Sequence, residues 1–302
     1  MSIAILEHAA IGRPINRLGA SIYPVYLLGQ PLPFSFTTGV TADVTVSEKA
    51  NAEVPTLQVT NHGGQPVLIP EGQVLDGGLQ TRTTNVSILV PAGATIDIPV
   101  SCVEAGRWGG SSGFNDSNRK TSRRVRRAKQ MGVRENVKSY GSRESDQGDV
   151  WGEVSSELSR RNVHSSSSNF RDLEGVMNDD REIAGAIEYL VLRGPMPEQR
   201  GIVVTHGVRV VSAEFYATSE ALWCNWEALI RGVIMDAPGH EVPRPSATAV
   251  LKFLRRIATG EIITAPGVGL GVEEHIKNRG LVAHGLSCDG TLVHASAFAL
   301  AA

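Results

Sequence analysis

In the first hundred positions the apolar residues fall in short runs of strand length. β-rich runs occupy Thr56–Thr60, Val67–Ile69, Thr84–Val90 and Thr95–Glu104. Turn signals separate them at Asn61-His62-Gly63-Gly64, Asp76-Gly77-Gly78 and Pro91-Ala92-Gly93-Ala94. Past residue 120 helical spacing appears. Thr121–Lys129 predicts one helix, and Gln147–Arg160 predicts another, with Val150, Trp151, Val154 and Leu158 at helical intervals. Gly201–Thr205 and Val208–Phe215 predict a hairpin turning at His206-Gly207. A helix follows, capped by Thr218 or Ser219, with the stripe Leu222, Trp226, Leu229 and Val233, and Pro238 stops it. The next helix runs from Ala247 to Ala258 behind Ser246, and Gly260 ends it. Leu281–Ser287 and Thr291–Leu300 close the chain as a hairpin around Asp289-Gly290. The pattern is α+β, strand-rich toward both the N- and the C-terminus.

Charge divides the chain further. Between Arg119 and Glu144 stand ten Lys/Arg and two acidic residues, although the whole chain of 302 residues carries a net charge of only −2. Ser/Gly-rich stretches flank this basic run. Residues 109–170 are therefore expected to be a basic helical insertion. The strand-rich segment, residues 1–108, and the α+β segment, residues 171–302, are expected to complete one domain around it. The near-neutral total gives no field that would draw nucleic acid or a membrane. The basic run has few aromatics between its charges, so a solvated or subunit-facing helix is expected before nucleic-acid binding.

Three scattered cysteines, Cys102, Cys224 and Cys288, form no CxxC pair, which excludes a cysteine zinc site and a disulfide framework. A reducing, cytoplasmic setting is expected. No segment is long and apolar enough to span a bilayer, and the opening residues are expected to belong to the fold. His206, His284 and His294 lack metal-ligand spacing, so neither a metal nor a cofactor is expected. Ser101-Cys102 is not set in a nucleophile elbow. Gly267-Val268-Gly269-Leu270-Gly271 either cradles a phosphate before a helix or makes a tight turn.

The two runs around Pro91 carry the most chemistry. Alternation puts Ile96, Ile98, Val100, Cys102 and Glu104 on one face of the second run. Gln80, Arg82, Thr84, Val86, Ile88 and Val90 share one face of the first. The apolar faces must coincide. A five-residue loop would pair Val90 with Ile96, Ile88 with Ile98 and Arg82 with Glu104. A three-residue loop keeps the faces and sets Gln80 opposite Glu104. In both registers the inward face ends in polar groups, which points to a cleft floor, because a buried charge is costly unless paired. Arg107 and Trp108 follow at once, and Glu71 precedes the first run. Arginine can fork onto phosphate, tryptophan can stack on a base, and Glu71 and Glu104 are candidate acid/base groups. The bland alternatives are a rim ion pair between Arg82 and Glu104, a packed Cys102 and a core Trp108.

These residues resemble the ARPP family, the domain associated with ADP-ribosylglycohydrolases and rhodanese-phosphatases. The resemblance rests on Glu71-Gly72, Gln80-Thr81-Arg82, Asn85, Leu89-Val90-Pro91, Val100-Ser101-Cys102-Val103-Glu104 and Gly106-Arg107-Trp108. Thr81 stands where an Asn is expected, and Gln73 where an acidic residue is expected. Weaker similarity extends to Gln147 with Val150-Trp151, to Val208–Ala237 with Glu214-Phe215, and to Gly267–Gly271 with Val293-His294. The resemblance implies a small-molecule ligand, an NAD-derived or ADP-ribose-type nucleotide. Its implied contacts are Gln80, Arg82, Asn85, Arg107, Trp108, Trp151 and Glu214, with Glu71 and Glu104 as catalytic candidates. If catalysis occurs, hydrolysis of a glycosidic or phosphate linkage is expected. The alternatives are a non-catalytic nucleotide sensor, and a structural or oligomer-forming protein without a small-molecule site. The expected assembly is a homo-oligomer.

Overall fold

The computed structural model describes residues 2–29, 32–110, 113–240 and 242–300. A 3-10 helix (Ser2–His8) leads into strands β1 (Ala10–Ile11), β2 (Ile15–Arg17) and β3 (Ala20–Tyr26). Then come β4 (Thr37–Thr38), β5 (Val44–Ser47), β6 (Thr56–Asn61), β7 (Val67–Ile69), β8 (Gln73–Gly77), β9 (Arg82–Thr84), β10 (Ile88–Val90), β11 (Thr95–Cys102) and β12 (Gly113–Lys120). Four helices follow: α1 (Arg123–Tyr140), α2 (Gln147–Arg160), α3 (Asp172–Asp179) and α4 (Arg181–Arg193). The chain ends with β13 (Gly201–His206), β14 (Arg209–Tyr216), α5 (Ser219–Cys224), α6 (Trp226–Met235), α7 (Ala247–Ala258), β15 (Glu261–Pro266), β16 (Val272–Asn278), β17 (Leu281–Cys288) and β18 (Thr291–Ala299). The class is α+β, with strands concentrated at both ends and helices between.

The strands form a large antiparallel sheet in the order β1-β3-β13-β14-β18-β17-β16-β15, a closed barrel β11-β6-β5-β12-β8-β9, and a small sheet β10-β7-β4. Helix α7 and the opening 3-10 helix cover one face of the large sheet through Ile3, Leu6, Val250, Leu254 and Ile257. The barrel has its own core of Leu57, Val59, Leu75, Val86, Ile98 and Val100. Val133 and Val137 of α1 join that core, while Val125 of the same helix packs with α2 and α6.

The basic segment is thus no appendage. Strand β12 closes the barrel, and α1 buries Arg123, Arg126, Lys129, Gln130 and Arg134 along with its valines. The expectation of a solvated helix fails because the cations among them meet carboxylates that arrive from distant parts of the chain, Glu71, Glu214, Asp236 and Glu261. Helix α1 is also longer than the spacing predicted, running from its Ser122 N-cap to Gly141 in the left-handed conformation.

The hairpin around Pro91 differs from both registers at its turn end. Strand β10 pairs with β7, Ile88 opposite Ile69, while Ile96 and Ile98 of β11 lie opposite Val59 and Leu57. Only the far end of β11 meets its expected partner: Val100 opposite Thr84 and Cys102 opposite Arg82, the offset of the three-residue alternative. The chain leaves β11 between Asn85, whose backbone N still donates to the Pro99 carbonyl of β11 at 3.1 Å, and Ser87, which is anchored elsewhere. The Ser87 amide donates to His284 Nε2 at 3.0 Å, and Asn85 Nδ2 donates to the Arg143 carbonyl at 2.9 Å.

Two further expectations change. The helix predicted after Thr218 breaks at Asn225, whose side-chain amide reaches Thr38 Oγ1 and the Ala221 carbonyl. Gly267–Gly271 precedes strand β16, not a helix, so it offers no helix N-terminus to a phosphate. It is a turn seated on β10, where Leu270 N donates to the Leu89 carbonyl at 2.8 Å.

Candidate functional site

The sequence-predicted residues separate into two clusters. The first is a sealed layer between the barrel, α1 and the large sheet. Strand register sets Glu214, Ser296 and His284 side by side on β14, β18 and β17. Helical spacing puts Arg126, Lys129 and Gln130 of α1 above them. Glu71, with no exposed surface, closes the layer from the barrel side. Its Oε2 accepts from Arg126 Nε at 3.0 Å, Arg126 Nη2 at 2.8 Å and Ser296 Oγ at 2.9 Å. Lys129 Nζ lies 2.8 Å from its Oε1. Arg126 reaches on through Nη1 to Glu214 Oε2 at 2.7 Å. Glu214 also takes Lys120 at 2.8 Å, the Tyr216 hydroxyl at 3.1 Å and His294 Nε2 at 3.1 Å.

The electrostatics follow from this geometry. Burial alone would raise the carboxyl of Glu71, but Arg126 and Lys129 outweigh it and hold the group well below the usual carboxylate range. Glu214 is held well down in the same way by Arg126 and Lys120. Lys129 bears the opposite strain: burial brings its ammonium down to about 8 despite Glu71. Glu71 and Glu214 are ionised counter-ions, and neither is open to a ligand. A cavity of about 20 Å³ beside Lys120, Arg126 and Glu214 has room for about one water.

Gly72 explains why a glycine follows Glu71. Its φ is +80°, and a Cβ there would lie 2.4 Å from Arg126 Nε. The motif Glu71-Gly72 is therefore a seat for the Arg126 guanidinium.

The second cluster lies where β9 and β11 end. Glu104 accepts from Thr81 N at 3.0 Å, Thr81 Oγ1 at 3.1 Å and Ser167 Oγ at 3.1 Å. Arg107 forks onto it through Nε at 2.9 Å and Nη2 at 2.7 Å. Burial raises this carboxyl, and the bonds from Arg107 and Thr81 overrule that and bring it down to about 2. Arg107 spends its remaining donors on the carbonyls of Gly77, Gly78 and Gly109. Gln80 donates to the Glu104 carbonyl at 3.0 Å. Glu104, Arg107 and Gln80 therefore staple the Gly106–Gly110 loop to the barrel, and Arg107 has no free fork for a phosphate. Asn85 is structural as well, accepting from Ser101 Oγ at 2.6 Å.

Arg82 differs from them. It is fully buried, its Nε donates to the Val54 carbonyl at 3.1 Å, and Nη1 and Nη2 have no hydrogen-bond partner among the described residues. The Trp108 ring centre lies 5.9 Å from its Cζ, and Trp108 itself is 56% exposed. Opposite Arg82 sits buried Cys102, whose thiol is pushed up by burial and donates to the Glu104 carbonyl. Cys102 is therefore a packed thiol, not a thiolate nucleophile. The Gln147 side chain brackets the Cys102 backbone, accepting from its N at 2.9 Å and donating to its O at 2.8 Å. That clamp docks the first turn of α2 and brings Trp151, one turn on and at the surface, against Cys102.

The whole stretch from β1 to β18 matches one family, the ARG and Rhodanese-Phosphatase-superfamily-associated Protein domain (ARPP-1), over residues 9–298. The chain belongs to the ARPP-1 family. Neither the curated proteins nor the solved structures give a match. In this ARPP-1 chain the residues that carried the resemblance do two separate jobs. Glu71-Gly72 seats α1, and the stretch from Gln80 to Trp108 builds the staple and the Arg82 corner.

Sequence reasoning missed Arg126, Lys129, Gln130 and Lys120. For the three on α1, Arg126, Lys129 and Gln130, the spacing with Val125, Val133 and Val137 was a signal, since one helical face carries both these polar residues and the valines; Lys120, at the end of β12, had no such signal. No group of His, Cys, Asp and Glu among the described residues is arranged to hold a metal ion. Among the described residues no helix is long and apolar enough to cross a membrane.

Proposed function

We propose that this ARPP-1 domain recognises an NAD-derived or ADP-ribose-type nucleotide at the Arg82 corner and does so without turning it over. The observation that carries the reading is the unpartnered fork of Arg82 beneath an exposed tryptophan. A buried guanidinium with two idle nitrogens lacks the bonds that repay its desolvation, and a phosphate oxygen pair matches the fork in shape and charge. Trp108 is exposed, so rotation about its own side-chain bonds, with the loop still stapled, can move its ring from above Arg82 to stack on a base. Trp151 offers a second aromatic face. The nucleotide class comes from the family's link to ADP-ribosylglycohydrolases.

Binding without turnover is favoured over hydrolysis because Glu104, the carboxylate of this corner, is ionised and fully engaged. It has neither a proton to give near neutral pH nor a free lone pair with which to take one. Calorimetric titration with ADP-ribose, NAD and ADP is the test, with tryptophan fluorescence followed in parallel. Saturable binding that quenches fluorescence, weakens at least tenfold in Arg82→Ala and releases intact ligand on denaturation supports the reading. Absence of binding, or equal affinity in Arg82→Ala, refutes it, and cleaved ligand refutes the claim that no turnover occurs.

A further inference from the structure

A second group of charges shares no residue with the Arg82 corner. It lines a cleft of about 430 Å³ between α1, α2, the first turn of α4 and the residues that follow α6. The floor is partly apolar, with Leu18, Ile183 and Met235, and the volume suits a small-molecule ligand. At its centre Arg124 of α1 bridges two carboxylates. Its Nε lies 3.2 Å from Asp236 Oδ1 and 3.6 Å from Glu157 Oε1.

The two carboxylates are treated unequally. Asp236 is taken on its other oxygen by Arg123 Nε at 2.5 Å. Glu157 is buried, and all its contacts are long and fall on Oε1: Ser122 Oγ at 3.4 Å, Arg160 Nη2 at 3.3 Å and Arg124. Its Oε2 has no hydrogen-bond partner among the described residues. On the ligand side, the terminal nitrogens of Arg124 and Nη1 of Arg160 have no acceptor among the described residues. Arg161 is held by the Met235 carbonyl through Nη2 alone.

We infer that this cleft is a second ligand site, which takes a small oxyanion, a phosphoryl or carboxylate group, on Arg124, Arg160 and Arg161, with the Glu157 carboxyl facing that group as hydrogen-bond donor. A neutral carboxyl is required for this, because an ionised one would repel the ligand. The surroundings supply it: burial, and then the charge of Asp236, raise Glu157 to about 7, and Arg124 and Arg161 only partly offset this. The other groups around it do not reverse that balance. Glu153 on α2 shares Arg160, and Glu182 stands in the first turn of α4. Asp180 caps that helix through its Oδ1. His206 of β13, near Asp236, is kept neutral by burial, which brings it down to about 4.

The consequence is proton-linked binding. If the oxyanion binds only the protonated form, affinity falls about tenfold from pH 6 to pH 8, since Glu157 titrates midway. Sulfate and oxalate are the probes, titrated calorimetrically into the full chain at constant ionic strength. Neither changes protonation appreciably between pH 6 and 8, and they separate tetrahedral from carboxylate ligands. Saturable binding of either probe with that pH dependence is expected. In Glu157→Gln the affinity should become independent of pH, because the amide keeps the donor. Arg160→Ala, at a half-exposed position that leaves the core intact, should weaken binding at least tenfold. Arg82→Ala should leave it unchanged, which separates this site from the nucleotide corner. No saturable binding of either probe overturns the inference. So does a pH dependence that survives Glu157→Gln, or a loss of binding in Arg82→Ala.

Discussion

Glu71→Gln tests whether the sealed layer is structural. The layer holds three cations, Lys120, Arg126 and Lys129, against two anions, Glu71 and Glu214. The substitution keeps the shape and removes one anion. It also places an amide nitrogen where one carboxylate oxygen was, so a donor faces either Lys129 or Arg126. Neither cation can escape to water, because Lys129 is fully buried and the Arg126 side chain is 6% exposed. Breaking a buried pair by removing one partner costs about 3–5 kcal/mol. With a slope of about 2–4 °C per kcal/mol for domains approaching this size, the melting temperature should drop by roughly 6–20 °C.

The loss should also depend on pH. Lys129 has a folded-state value of about 8, below its ordinary 10.5, so the unfolded chain binds more protons between those values and stability rises with pH there. Without Glu71 the folded-state value falls further, and the rising window opens at lower pH. Urea unfolding followed by circular dichroism at pH 7 and pH 9 measures both effects. The Glu71→Gln deficit should be smaller at pH 9, and adding Lys129→Met should recover more than half of the loss at pH 7. A loss below about 1 kcal/mol at pH 7, with the wild-type pH slope, would refute the structural role of Glu71.

Glu104 carries the opposite linkage: its carboxyl lies near 2 when folded, so its stabilisation is complete above the ordinary value of 4.5 and is lost as pH falls through 2. Glu104→Gln should cost up to about 3 kcal/mol at pH 7 and flatten the acid side of the stability curve, read by denaturant unfolding between pH 2 and 5. Gly72→Ala combines a φ of +80° with a Cβ 2.4 Å from Arg126 Nε, and should destabilise by about 2 kcal/mol or more. A thermal shift under 2 °C would mean that Arg126 has room to move.

Much of the local structure was legible in the sequence. The bounds of α2 and α7 and the closing hairpin around Asp289-Gly290 follow from helical spacing, Ser246 at an N-cap and a two-residue turn, all of which act within a few positions. The offset between Arg82 and Cys102 was one of two allowed by matching apolar faces. The sequence alone thus determined the α+β class, these elements, the ARPP resemblance and the residues of the Arg82 corner. What it did not determine was partnership. Strand β10 left β11 for β7 because Ser87 is held by His284 and His294, which lie about two hundred residues away. Arg126 met Glu71 and Glu214, 55 and 88 positions distant. A cation on a helix reads as solvated until the fold brings a carboxylate to it, and only the tertiary structure does that. The same reason made Glu71 a counter-ion and not an acid/base group, and left Arg82 with Nη1 and Nη2 unpartnered among the described residues.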